Sequence, residues 1–521
     1  MNRERMISNL KLNNENWDIA VIGGGATGVG TAIEAASRGY KVVLIEQSDF
    51  GKATSSRSTK LAHGGVRYLQ QGNISLVLEA LKERGIMRRN APHLVHDLPF
   101  IVPVYDWWEG PFYGVGLKIY DMLAGKEGFG GSRILSKEET IKLIPTVETE
   151  GLKRGVIYYD GQFDDARLLI NMMQTAVEQG ATMINYMRAV SFIKNNDDEI
   201  TGIAARDMET GNDHIINAKA VINATGVFTD FVRKMDNMFT DEIMTSSQGV
   251  HIVLDNSFLP GDSAIMVPHT DDGRVLFAVP WHNSTLIGTT DTFIDHYPLE
   301  PVAFDDEIEF LLKHAAKYLT KDPTRKDVKS VFVGLRPLVK GNTNGNDTAA
   351  ISRDHTITIS RSGLISIAGG KWTTYRKMGE DVIDQAIMLA NLPHRDSVTS
   401  TLQIHGYHSN SQKYNELSKY GSDALKVSEL LKEKAIYSDL LHPNHGIKIG
   451  EIVWAIRNEM ARNIEDFLSR RTRLLIVDAK ASVESAPIVA KIMAKELGHG
   501  RRWQNNQVQQ FTQLAKNYML F

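Results

Sequence analysis

The sequence predicts an α/β fold of three parts: a discontinuous Rossmann-like nucleotide domain, an antiparallel β-rich cap and a C-terminal helical domain. A buried-strand pattern near the N-terminus runs into a glycine-rich turn and a helix. Strand runs alternate with turn signals between residues 241 and 344. Residues 396–521 carry apolar positions at helical spacing.

The first part is the most explicit. Asp18–Ile22 is a short apolar run of β-formers bounded by glycines, the pattern of a buried strand. Gly23-Gly24-Gly25-Ala26-Thr27-Gly28 then holds G-x-G-x-x-G. Gly23 permits the tight turn, Gly25 lets backbone approach a pyrophosphate, and Gly28 lets the helix pack on the strand. Ala26 and Thr27 open a helix predicted over 26–38, with its N-terminal N–H groups facing that phosphate. Gly39 is a natural stop, Lys41–Ile45 reads as the second strand, and Glu46 ends it 18 residues beyond Gly28. A carboxylate there meets a ribose hydroxyl pair and repels a 2′-phosphate.

Composition sets outer bounds. The chain has 521 residues, enough for two or three domains. Its 59 basic and 62 acidic side chains leave a net charge of −3, so no nucleic-acid partner is expected. There is no cysteine, which excludes disulfides, thiolate metal sites, iron–sulfur clusters and cysteine nucleophiles. Redox chemistry then needs a bound organic cofactor or a non-thiolate metal site; no metal is expected. The N-terminus lacks the apolar core of a signal peptide, and no run of about 18 apolar residues occurs, so a cytoplasmic protein without a spanning helix is expected. Peripheral attachment needs only an amphipathic face.

The segment after Glu46 decides which dinucleotide. A simple NAD fold continues with another βα unit. Here Thr54 to Tyr68 is a hydroxyl-rich loop, TSSRSTKLAHGGVRY, with paired glycines. Such a loop can donate hydrogen bonds to a second phosphate and wrap an extended cofactor, so FAD is expected. Thr54, Ser55, Ser56, Lys60, Leu61, His63, Gly64 and Gly65 are its expected contacts.

Seven motifs in order then carry a family likeness: TSSRSTKLAHGGVRYL from Thr54, DDARL at 164–168, NATG at 223–226, GVHIV at 249–253, IGTTD at 287–291, GLRPL at 334–338 and GGKWTTYRK at 369–377. Together they resemble the FAD-dependent glycerol-3-phosphate dehydrogenases of the respiratory, quinone-reducing type. The likeness runs from about Trp17 to about Asn391 and more weakly beyond. It implies oxidation of sn-glycerol 3-phosphate to dihydroxyacetone phosphate by hydride transfer from C2 to FAD, with electrons passed to a membrane quinone. Composition and spacing alone stop at a flavoprotein.

On that resemblance the FAD-binding domain comprises 1–100, 151–240 and 345–395. Within it a helix is predicted over 166–179, and strands over 182–186, 220–223 and 364–368. Residues 101–150 and 241–344 form the substrate cap, and 396–521 the helical domain. There Val453, Ile456, Met460, Ile464 and Phe467 follow steps of three and four residues. Ala224, Thr225 and Gly226 are similar to the family's second cofactor turn. Ala189, Val190, Gly370, Lys371, Thr373 and Thr374 are assigned to the cofactor as well, Thr373 and Thr374 also as helix caps.

Arg67, Arg336 and Arg353 match the family's arginine positions, and the planar fork of arginine suits a phosphate. Arg336 sits between apolar residues beside Pro337. For Arg353, a salt bridge with Asp354 is the rival role; for Arg67, a contact to the flavin or a backbone carbonyl. Tyr68 packs beside substrate or fills the core. Lys371, at a helix start, is expected to bind substrate and sit near the flavin. His251 matches a family active-site histidine and is the expected proton acceptor. His63, or water activated by Arg336, is the alternative. Gln248 replaces a lysine common in relatives, and Trp372 a smaller apolar residue.

The acceptor follows from the same resemblance. Relatives that use iron–sulfur partners carry cysteines absent here, and oxidase relatives carry an insert for which the spacing is too compact. A quinone is therefore expected, with an oxygen-dependent oxidase of glycerol 3-phosphate or an amino acid as the alternative. Quinone implies docking on the inner face of the cytoplasmic membrane. Trp107 to Tyr120 is an aromatic-rich candidate anchor that equally suits packing inside the cap. Arg470, Arg471 and Arg473 either face anionic lipid or pair with Glu465 and Asp466. A homodimer is left open.

Overall fold

The strand Trp17–Ile22 is buried along nearly its whole length, as a strand covered on both faces must be. A computed structural model of the chain sets it at the centre of a sheet. The structure describes residues 1–12, 16–65, 73–106, 109–125, 128–268, 270–271, 274–340 and 354–520, without the side chains of 11–12, 109–113 and 115. The sheet order is His355–Ile359, Leu364–Gly369, Asp213–Asn223, Trp17–Ile22, Val42–Ile45, Thr182–Ile184. All neighbours are parallel except the first pair. Ile22 pairs with Asn223, and Asn223 with Ser366. Trp17–Ile22 and Asp213–Asn223 thus end level, while Leu364–Gly369 runs on past Ser366, and the turns after them emerge on the same side of the sheet. Crevices at the carboxyl ends of parallel strands are where such sheets bind ligands.

The helix Ala26–Ser37 follows the glycine turn and is buried almost all round. Tyr375–Leu389 crosses it closely. A Cβ on Gly30 would meet Tyr375 at 2.8 Å, and one on Gly379 would meet the Gly30 carbonyl carbon at 2.9 Å. The predicted helix at 166–179 is Asp165–Glu178, started by Asp164, whose carboxylate accepts from the Arg167 N–H. The pattern missed the antiparallel pair Met187–Lys194 and Ile200–Asp207, which feeds Asp213–Asn223.

A second sheet of ten strands is antiparallel throughout except where Ala264–Val267 meets Val95–Val104. Leu276–Trp281 and Ser284–Gly288 form a hairpin with His282 and Asn283 at positive φ of 48° and 54°, the two-residue turn that matches strand twist. Leu61–Ala62, Val95–Val104 and Arg154–Phe163 also pair here, although the motifs group most of those residues with the nucleotide domain.

In the C-terminal part, the apolar positions at steps of three and four fall on more than one helical element. Gly450–Glu459 stops at Met460, whose φ is +55°. The Asp466 carboxylate then accepts the N–H groups of Arg462 and Asn463, starting a new turn that leads into Asp466–Arg471. Val453, Met460, Ile464 and Phe467 are still buried.

The lipid-facing reading of Arg470, Arg471 and Arg473 is overturned. All three are buried. Arg470 pairs with Asp49, Glu465 and Asp466, Arg471 with Asp49, and Arg473 with Asp165. Burial works against charge on Asp49, but Arg471 and Arg470 hold its carboxyl below the usual range. Asp49→Ala therefore strands buried guanidinium groups and is expected to cost about 3–5 kcal/mol, read from the denaturant midpoint.

A pH-dependent contact ties Asp165–Glu178 to the C-terminal part. His405 lies 2.6 Å from Glu178 and 2.7 Å from Asp423. Burial opposes its charge, yet the bonds to Asp423 and Glu178 outweigh that and raise it to about 9. A histidine raised on folding contributes stability that is complete below its ordinary value of 6.5 and lost as pH rises through about 9. The stability gap between wild type and His405→Gln is therefore expected to be widest near about pH 6 and to shrink toward about pH 10.

Candidate active site

The strand ends open into a cleft of about 590 Å³ between the two sheets. Its lining includes Gly23, Gly25, Ala26, Thr27, Glu46, Thr54, Ser55, Leu61, His63, Ala189, Ala224, Thr225, Gly226, Gly370, Lys371, Thr373, His251 and Arg336. Residues hundreds of positions apart thus share one cavity.

The glycine turn is shaped for a close approach. Gly23 has φ of +111°, and a Cβ there would meet the Ala224 carbonyl oxygen at 2.6 Å. A Cβ on Gly25 would meet Ser55 Oγ at 3.0 Å, so only glycine leaves that wall open. Ser55 Oγ accepts the Ala26 N–H at 2.9 Å, binding the hydroxyl-rich loop to the helix start. Glu46 accepts the Gly24 N–H at 2.7 Å and the Ser48 N–H at 2.8 Å. Burial raises its carboxyl above the usual range, against those two bonds. A glycine cradle, a helix N-terminus and a carboxylate fit a dinucleotide.

The opposite wall comes from Met244–Asp255 and Ser330–Val339. Their register sets Ser247 opposite Arg336, Gly249 opposite Gly334, and His251 opposite Phe332. With a side-chain period of two, all six face the same way. The two glycines lie between the Arg336 and His251 rows and let neighbouring groups close onto the backbone there. A Cβ on Gly249 would meet Arg336 Nη2 at 2.6 Å, and one on Gly334 would meet the Arg57 carbonyl oxygen at 2.5 Å.

Arg336 is half-buried and held from several sides. Nη1 donates to Asp291 at 3.0 Å and Ser247 Oγ at 3.2 Å, and Nη2 to the Thr290 carbonyl at 2.7 Å. It both makes a structural ion pair and lines the cleft. His251 is buried and stacks on Phe332 at 4.7 Å between centroids. Its Nε2 lies 2.9 Å from Thr59 Oγ1. Burial, then the charges of Lys60 and Arg336, push its pKa well below the ordinary 6.5, so the ring is neutral. Lys371 precedes the short turn Trp372–Thr374, after two glycines at φ of +78° and +76°.

Several expected cofactor contacts stand behind the lining. Gly28 packs where a Cβ would meet the Gly23 carbonyl oxygen at 1.9 Å. The Lys60 ammonium is fully buried, 2.7 Å from Asp165 and 3.0 Å from the Ser56 carbonyl, which points it away from the cleft. Burial pushes its pKa down to about 7, against the pull of Asp165. The Gly64 N–H donates to the Tyr120 hydroxyl, and the Thr374 hydroxyl to the Lys371 carbonyl. Ser56, Gly65 and Val190 also lie outside the lining, Val190 being exposed. Arg67, Tyr68 and Arg353 fall outside the described residues.

Sequence reasoning missed Thr59, Arg57 and the partner of Trp372. Arg57 lines the cleft and pairs with Glu300 at 2.7 Å. The Trp372 indole N–H donates to the Ser55 carbonyl at 2.8 Å, so the larger ring found here braces the cofactor loop. Nothing in local spacing signals contacts between residues so far apart.

Comparisons with known proteins agree with this geometry. A family model described as FAD dependent oxidoreductase matches residues 18–376. A second, described as the C-terminal domain of alpha-glycerophosphate oxidase, matches 365–507. The mitochondrial glycerol-3-phosphate dehydrogenase of Macaca fascicularis is 39% identical over 557 residues, taking in 100% of this chain and 75% of that protein. The Schizosaccharomyces pombe enzyme of that name is 35% identical, across 99% of this chain and 89% of its own. The glycerol-3-phosphate dehydrogenase of Bacillus halodurans, solved with FAD, superposes with a TM-score of 0.81 at 30% identity, covering 99% of this chain and 97% of that one. The chain belongs to the family of FAD-dependent glycerol-3-phosphate dehydrogenases, and FAD is its cofactor.

Proposed function

We propose that this cleft oxidises sn-glycerol 3-phosphate to dihydroxyacetone phosphate and that the electrons leave to a membrane quinone. The observation that supports it best is the shared face of Arg336 and His251 on one wall of the cleft, with the Gly249–Gly334 pair between their rows. The cleft beside them takes a small substrate with a phosphate at one end and a hydroxyl at the other. Arg336 and Lys371 supply positive charge for the phosphate, which a planar fork holds in one orientation. FAD, when bound, supplies the acceptor for the C2 hydride. As the C2–H bond breaks with its electron pair, the hydroxyl proton passes to the Thr59 hydroxyl, which gives its own to His251 Nε2, and the C2=O double bond forms. The neutral ring is ready to take that proton. The incoming phosphate offsets the Arg336 charge that depresses its basicity.

For the acceptor, the helix Glu109–Ala124 is the proposed docking element. Leu117 and Tyr120 are buried, while Lys118, Ile119 and Met122 face out, Met122 being 81% exposed. Ile134 is exposed nearby. Trp107 and Trp108 precede this helix and lie outside the described residues. Among the described residues no helix is long and apolar enough to cross a membrane, so the proposed attachment to the inner face of the cytoplasmic membrane is peripheral. The FAD-loaded protein is expected to pass electrons from glycerol 3-phosphate to a quinone analogue without oxygen, and to form peroxide slowly in air. Rapid peroxide formation without quinone contradicts this and makes the protein an oxidase.

A further inference from the structure

Three arginines of the C-terminal part reach the two segments that line the cofactor side of the cleft. Arg470 Nε and Arg471 Nη1 each donate to Asp49 Oδ2 at 2.5 Å, in the loop that follows Glu46. Arg473 Nη2 donates to the Ser56 carbonyl at 2.6 Å and to Asp165 Oδ1 at 2.9 Å. Asp165 Oδ2 in turn accepts the Ser58 N–H at 3.0 Å, the Ser58 hydroxyl at 2.7 Å and the Lys60 ammonium at 2.7 Å. Thr59 lies between those two anchored residues, with its hydroxyl on His251 Nε2.

Arg473, Lys60 and Asp165 are essentially sealed from water, at 1%, 0% and 0% side-chain exposure. Asp165, with Asp164 at 3.6 Å from Arg473, facing two buried cations is a poor way to gain stability, since well-packed apolar residues do as well or better. It is a good way to fix a backbone. The rigid guanidinium takes a loop carbonyl and the aspartate at once, and the aspartate takes the next loop N–H. Lys60 is held at φ of +66° by the same cluster.

We infer that Arg473 is a positioning residue: through Ser56 and Asp165 it fixes the 56–60 backbone so that the Thr59 hydroxyl meets His251. The C-terminal part thereby completes the site. The kinetic side of this rests on the proposed role of His251.

The test uses full-length, FAD-loaded Arg473→Gln and Arg473→Lys. In Arg473→Gln, amides of residues 54–60 are expected to exchange hydrogen at least about tenfold faster, with Trp17–Ile22 unchanged, and FAD to dissociate faster. Flavin reduction by glycerol 3-phosphate is expected to slow about 10- to 100-fold with little change in KM, because a small misplacement of a reacting group has that effect. Arg473→Lys is expected to restore part of both. Unchanged exchange at 54–60 overturns the inference, as does equal acceleration along the whole chain.

Should Arg473→Gln not fold, Arg473→Lys is combined with Thr59→Val. A double variant no slower than Thr59→Val alone supports action through Thr59, and losses that simply multiply overturn it. The exchange and FAD-dissociation arms use no substrate. A wild type that fails to oxidise glycerol 3-phosphate therefore defeats the proposed function separately.

Discussion

Arg336→Ala is expected to lower kcat/KM for glycerol 3-phosphate about 100-fold or more while leaving the slow oxidation of glycerol nearly unchanged. Truncating one partner of a buried, hydrogen-bonded charge pair costs about 2–5 kcal/mol, and each 1.4 kcal/mol is tenfold. The variant also removes the Arg336–Asp291 ion pair at 3.0 Å, an effect on the wall that both substrates share. The decisive comparison is therefore between the two substrates on one variant. Arg336→Lys keeps the charge but replaces the fork with a point, so it is expected to recover only part of the phosphate preference. An equal loss for both substrates assigns Arg336 to the wall alone.

His251→Asn is expected to lower kcat about 10²- to 10⁴-fold, the range for losing a general base, with KM changed little. Asparagine can still hydrogen-bond Thr59 but cannot accept a proton at neutral pH. The wild-type pH profile is a second reading of the same group. Burial, then the charges of Lys60 and Arg336, keep His251 neutral above its ordinary 6.5. Protonation removes the base, so kcat/KM is expected to stay level from that value upward and to fall only on the acid side. Stopped-flow reduction across pH checks both. If His251→Asn reduces its flavin at the wild-type rate, the proton leaves by another route, with water beside Arg336 first in line.

The nucleotide half of the fold was legible because its signals are local. The strand at Asp18–Ile22, the glycine turn and the helix after it lie in one stretch, and their boundaries in the structure differ from the pattern by a residue or so. The cap was legible as strands but not as a sheet. Its neighbours include Val95–Val104 and Leu61–Ala62, which local patterning ties to the nucleotide domain. The buried clusters were legible only in part. Lys60 reads as a cofactor contact in a hydroxyl-rich loop, yet its positive φ turns it onto Asp165. Arg470, Arg471 and Arg473 read either as a lipid-facing patch or as partners of Glu465 and Asp466; Arg470 does pair with both, whereas Asp49 and Asp165 lie more than 300 residues back. Gly249 and Gly334 carry no motif signal as a pair; only the register between their strands sets them opposite each other.

The central claim is that this cleft takes the C2 hydride of glycerol 3-phosphate onto its flavin. Anaerobic titration of the FAD-loaded protein with sn-glycerol 3-phosphate, followed by flavin absorbance, tests it most directly. The account predicts bleaching at the flavin with one dihydroxyacetone phosphate formed per flavin reduced, and far slower bleaching with glycerol at the same concentration. A flavin that stays oxidised with glycerol 3-phosphate in excess, in protein shown to hold FAD, contradicts it.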